Sequence, residues 1–150
     1  MKESEIMIRT AILLCSAALG LAAAPAFAAS ADLSAALEAY AEADASDVRP
    51  SEQSDFAYCA GYWDAWSNAI ADGAVTDAQL EPLVGELKTP SVEFAAIAML
   101  LMLDDADASE PEIAQAGIEA RGLIADALAG KAEAAESLFR SLGTCQIEDE

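Results

Sequence analysis

From residue 30 onward the apolar positions recur at three- and four-residue intervals, and the chain reads as successive amphipathic helices punctuated by Gly, Pro and Asp. Ser30 or Asp32 caps a first helix to about Ala43, with Leu33, Leu37 and Tyr40 along one stripe, and Asp44 to Pro50 reads as a loop. A second helix starts near Ser51 or Ser54 and ends before Gly73, where a C-terminal glycine cap belongs. Its Phe56, Cys59, Trp63, Trp66 and Ile70 carry the strongest periodic signal in the chain. Phe56, Trp63 and Ile70 make a core stripe, while Tyr58 and Tyr62 project to another side and Trp66 lies between. Large aromatics on two faces mean a helix sandwiched between neighbours, or one that offers Tyr58, Tyr62 and Trp66 to a ligand or protein partner.

Thr76-Asp77-Ala78-Gln79 is a capping box for a short third helix, which Pro82 interrupts and Gly85 weakens. A fourth helix begins around Thr89-Pro90, with proline at the favoured first position, and runs through Val92–Leu103. Phe94, Ile97, Ala98, Leu100, Leu101 and Met102 make it apolar almost all round, which predicts the central buried helix, and it is too short to span a membrane. Asp104 to Ala108 is an acidic loop, and Ser109-Glu110-Pro111-Glu112 is a second capping box. A fifth helix to about Ala129 carries Ile113, Gly117, Ala120, Ile124 and Leu128, with Gly117 and Gly122 each marking a close helix crossing. Gly130 separates a sixth helix, Lys131 to Leu142, which Gly143 ends. β-Branched residues are few and no run alternates apolar with polar. The expected fold is all-α, a single small irregular bundle of five to six helices.

Residues 1–28 have a different pattern. Lys2 and Arg9 precede an uncharged apolar stretch from Thr10 to Ala24, Pro25 breaks it, and Ala26-Phe27-Ala28 supplies the small residues read by a signal peptidase. This is a cleavable secretory signal, with cleavage expected after Ala28, and Glu3 and Glu5 are its one discordant detail. Leu14 before Cys15 does not suit a lipoprotein signal, so Cys15 leaves with the peptide, and no twin-arginine pair is present. The working domain is then residues 29–150, periplasmic or secreted, with no stable membrane insertion after cleavage.

The 150 residues hold 27 Asp and Glu against 7 Lys and Arg, a formal charge of −20 that is unchanged when Lys2, Arg9, Glu3 and Glu5 are removed. Such a surface repels nucleic acid and anionic lipid, whose binding depends on Lys and Arg, and attracts cations or a basic protein. Alanine supplies 29 of the residues after Ala28, which suits closely approaching helices around a modest core. Cys59 and Cys145 are the even pair left after cleavage, and an exported domain favours a disulfide between them. In the chain-entropy model, closing a loop of that length is worth ~4.6 kcal/mol. There is no C-x-x-C pair for thiol redox chemistry.

The chain has no histidine, which removes Ser–His and Cys–His nucleophiles and most zinc and copper sites. Carboxylates are so many that any one pair is expected by chance. No catalytic, metal or cofactor-binding residue is therefore assigned, and a non-enzymatic protein is expected. The densest oxygen cluster is Asp104, Asp105, Asp107, Ser109, Glu110 and Glu112. Asp105-x-Asp107-x-Ser109 imitates the start of an EF-hand loop. Glu110 stands where that loop needs glycine and Ala116 where it needs the bidentate glutamate, so only a weak, partly hydrated Ca²⁺ site is compatible with it.

Phe56-x-x-Cys59-x-Gly61-Tyr62, followed by Gly73 and Val75-Thr76-x-x-Gln79-Leu80-x-x-Leu83-Val84, resembles the helical immunity proteins that protect bacteria from type VI secretion amidases. The resemblance covers about residues 56–84. It implies a periplasmic, disulfide-bonded inhibitor that plugs a toxin's active site, with Tyr62 and its neighbours facing the toxin. The chain lacks the second cysteine pair of that family and continues past Leu103 into two further helices.

Taken together, these features point to an exported helical interaction protein. Intact-mass measurement of the protein recovered from the periplasm should give a chain beginning at Ala29, and a mature protein retaining Met1 would show that the leader is an anchor.

Overall fold

The computed structural model describes residues 30–147, and the expected leader, with its cleavage site, lies outside them. Six α-helices follow one another with no strand among the described residues: α1 Ser30–Asp44, α2 Gln53–Ala71, α3 Asp77–Leu80, α4 Ser91–Leu101, α5 Glu110–Leu128 and α6 Ala132–Thr144, with a 3₁₀ turn at Gly85–Leu87. The all-α bundle with one disulfide is as expected. Its centre is not.

α2, not α4, is the buried helix. It packs against α5, α4 and α6, while α1 lies along α6. Nine of its residues from Phe56 to Trp66 are buried, including Trp63, Trp66 and Tyr62, the largest fully buried side chains. Each buried indole finds an acceptor: Trp63 donates to the Cys145 carbonyl at 2.8 Å and Trp66 to the Leu87 carbonyl at 3.0 Å. These bonds remove the cost of an unpaired N–H in an apolar interior. They also tie α2 to the end of α6 and to the 3₁₀ turn. Trp66 meets Phe139 of α6 edge-on at 5.7 Å, the favoured aromatic geometry.

Helix α4 buries only Val92 and Met99 and leaves Phe94, Ile97, Leu100, Leu101 and Met102 exposed. A helix apolar on every side carries no periodic signal to say which side packs, and its apolarity alone suggested the centre. The sharpest division between faces belongs to α6, where Ala134, Ala135, Leu138, Phe139, Leu142 and Gly143 are buried together.

Helix starts follow local chemistry. The α2 box is made by Glu52 and Asp55: the Asp55 carboxylate accepts from the backbone N–H groups of Ser51 and Glu52, both at 3.1 Å, and these donors hold its pKa below the usual value. The expected box of α3 is present, with the Thr76 N–H donating to Gln79 Oε1 at 2.8 Å. That of α5 is not, because Ser109 already has helical backbone angles and makes no side-chain cap bond. Pro90 follows a cis peptide bond and stands before α4 rather than in its first turn. Arg49 folds back onto the end of α1, donating to the carbonyls of Ala43 and Asp44, where the helix dipole favours a cation.

Two glycines set the helix spacing. A Cβ at Gly61 would lie 2.5 Å from the Ile113 carbonyl oxygen and 2.8 Å from the Gly117 nitrogen, so α2 and α5 touch backbone to backbone. At Gly143 a Cβ would overlap the Tyr40 carbonyl oxygen and stand 2.9 Å from Ala43 Cβ, which seats α6 on the alanine face of α1. Gly143 is thus inside α6, in its last turn, and does not end the helix. Gly117 is at the crossing as expected, whereas Gly122 is exposed with open space around it and marks none. The Cys59–Cys145 disulfide, with Cα atoms 5.3 Å apart, joins the middle of α2 to the residue after α6.

Gly61→Ala should therefore destabilise the fold by about 1–3 kcal/mol through overpacking against backbone. Gly122→Ala should stabilise it by roughly 0.5–1 kcal/mol, since it removes only helix-interior flexibility. Urea unfolding of both variants checks the pair, and a harmless Gly61→Ala would mean that the crossing is not this close.

Candidate functional site

The outer face of α4 is one candidate. Positions 94, 97 and 101 fall on a single helical stripe opposite the packed Val92 and Met99. Phe94 is 74% exposed, Ile97 57% and Leu101 79%. Leu100 and Met102 extend the apolar surface on either side, and Glu93, Asp104 and Asp105, all exposed, border it along the chain. Other exposed aliphatic side chains, such as Val48 and Ile118, sit on separate elements. Single exposed hydrophobics are ordinary on a protein surface, but a run of them on one helix face is not. Sequence reasoning found these residues and assigned them to the core. The sequence holds no signal that separates the readings, because α4 has no polar side to mark the face that stays outside.

The second candidate is an open cleft between α2 and α5, with a volume of about 340 Å³. Ser54 and Tyr58 line it from α2, and Pro111, Glu112, Ala116 and Glu119 line it from α5. Of the three aromatic residues expected to meet a partner, Tyr58 alone reaches a cleft, half-buried on its wall. Tyr62 and Trp66 are buried and face neighbouring helices. The Tyr58 and Tyr62 rings lie 4.4 Å apart and 32° from parallel. The Tyr62 hydroxyl donates to Glu119 Oε1 at 2.8 Å, and that of Tyr58 lies 3.2 Å from Ser141 Oγ. The arrangement fixes one carboxylate oxygen and one aromatic ring at the cleft edge. Glu112 and Glu119, two turns apart on α5, are both exposed.

The acidic segment at 104–112 folds on itself, with Asp105 Oδ1 accepting from the Ala108 N–H at 3.0 Å. Among the described residues no three Cys, Asp or Glu side chains come together in a group that could hold a metal ion. No described helix is long and apolar enough to cross a membrane. No protein-family model, curated protein or solved structure matches this chain, so its sites are read from their own chemistry.

Burial raises the Tyr62 hydroxyl pKa well above its ordinary 10.0, and the Tyr58 hydroxyl and Glu119 carboxylate beside it add to the shift. Burial likewise raises Tyr40, with Asp44 and Glu86 adding repulsion. A raised folded-state pKa gives stability that is complete below pH 10 and is lost as pH rises toward the folded value, because the unfolded chain releases its protons first. Urea midpoints should therefore fall steeply above about pH 10. Tyr62→Phe should show a shallower fall, and equal slopes for the two proteins would contradict the assignment.

Proposed function

We propose that this chain is an exported, non-enzymatic interaction protein that presents the outer face of α4 to a basic protein partner. The observation that carries the reading is the exposed Phe94, Ile97 and Leu101 stripe on a chain of net charge −20. Side chains at 94, 97 and 101 have the spacing with which a helix enters a partner's apolar groove. The acidic border selects a groove rimmed by Lys and Arg and disfavours a second copy of the chain, which brings the same charge with it. Export is supported by the leader pattern of residues 1–28 and by the disulfide, which persists in oxidising compartments. Inhibition of a secreted toxin, as the resemblance to immunity proteins implies, is one form of this function. In that form α4 would make the contacts, since the Tyr62 ring is only 1% exposed.

The test is affinity capture from periplasmic extract at low and high salt with the wild-type protein and with Phe94→Asp/Leu101→Asp. Both substitutions are on the outside and leave the core intact. If these side chains anchor the contact, each is worth about 2 kcal/mol or more, so the specific bands should vanish with the double variant. Identical recovery by both proteins, or no specific capture by the wild type, would overturn the proposal.

A further inference from the structure

The cleft between α2 and α5 shares no lining residue with the α4 stripe and has a different chemistry. Its lining is mostly apolar, with Tyr58, Pro111 and Ala116 beside the two carboxylates Glu112 and Glu119. Tyr62 packs against the Tyr58 ring and bonds Glu119, so it holds both groups in place from beneath. Neither glutamate forms an ion pair among the described residues. An aromatic wall attracts a cation through its quadrupole, and two carboxylates on one helix face complete the site. A largely apolar lining favours a cation carried on an aliphatic stem, and the volume of about 340 Å³ suits one side chain rather than a folded surface.

We propose that this cleft binds an arginine side chain of a protein partner, with the aliphatic stem on Pro111 and Ala116, the guanidinium against Tyr58, and its N–H groups donated to Glu112 and Glu119. Arginine suits the site better than lysine because its planar guanidinium both stacks on a ring and donates along two directions. The proposal does not depend on the α4 reading, and its test leaves α4 untouched.

The test is a two-dimensional amide NMR titration of the purified protein with three probes: N-acetyl-arginine amide, a short peptide containing one arginine, and the same peptide with norleucine in its place. The arginine probes should shift the amides of Ser54, Tyr58, Gln115 and Glu119 in common, with the peptide binding more tightly than the amino-acid derivative. The norleucine peptide should produce no shift. Tyr58→Leu should weaken binding by roughly two- to five-fold, the worth of an exposed cation–π contact. Glu112→Gln/Glu119→Gln should weaken it further while leaving the helical circular dichroism unchanged. Equal shifts with the norleucine peptide, shifts spread over the whole acidic surface, or binding indifferent to both variants would overturn the proposal. Tighter binding by free N-acetyl-arginine amide than by the peptide would equally overturn it, assigning the cleft to a small organic cation instead.

Discussion

At Gly61 the backbones of α2 and α5 meet with no side chain between them, and much of the structure depends on that contact. A helix crossing this close leaves no room for large residues beside it, and Ala57 and Ala65, one turn either side of Gly61, are buried together with Ala116 and Ala120 of α5. The bulk of the core is then displaced to the other sides of α2, where Trp63 and Trp66 reach toward α6 and the 3₁₀ turn. Gly143 repeats the device between α6 and α1. Alanine content that looks like a weak core in the sequence is the condition for short interaxial distances, and dispersion between close backbones replaces part of what larger side chains would contribute.

Much of this was legible in the sequence, and the two largest failures, on α2 and α4, have one cause. Helix existence and order followed from apolar spacing and from turn residues, and the pairing of Cys59 with Cys145 followed from parity once Cys15 was assigned to the leader. The α2 stripe was read correctly at Phe56, Cys59 and Trp63. What periodicity cannot report is whether the opposite side of the same helix is also covered. Ala57, Ala60 and Ala65 are neutral in such a reading, and they turned a one-sided helix into an enclosed one. The same limit acted in reverse on α4, whose apolar outer side has nothing from the described chain against it. Tyr62 and Trp66 moved from candidate contacts to core for the first reason, and Phe94, Ile97 and Leu101 from core to surface for the second. The cleft at Tyr58 was not legible at all, because it is made by residues of α2 and α5 more than fifty positions apart.

The outer face of α4 is costly to a protein of this size. Leaving a large aliphatic or aromatic side chain exposed forgoes about 1.5–3 kcal/mol of burial. The core meanwhile is filled by many alanines. Five bulky side chains, Phe94, Ile97, Leu100, Leu101 and Met102, stay outside while alanines occupy much of the interior alongside Trp63, Trp66 and Phe139. A close-packed alanine seam does not require those residues to be exposed, since a polar outer side on α4 would serve the bundle equally well. The proposed contact on α4 would account for a placement that the needs of folding do not.

Charge and apolar surface then have separate tasks. At physiological ionic strength the Debye length is about 8 Å, so even a charge of −20 acts on a partner only at close approach. Charge can favour a basic partner and hasten its encounter, but it supplies little lasting affinity, because exposed ion pairs are worth at most about 1 kcal/mol each. Affinity must come from desolvated apolar contact, which the chain offers in quantity on α4 and in a small, oriented form in the Tyr58 cleft. A surface that was acidic alone would bind any polycation weakly. In the proposed contact, Phe94, Ile97 and Leu101 inside an acidic border would require shape and charge to match together, and that joint requirement would make recognition selective.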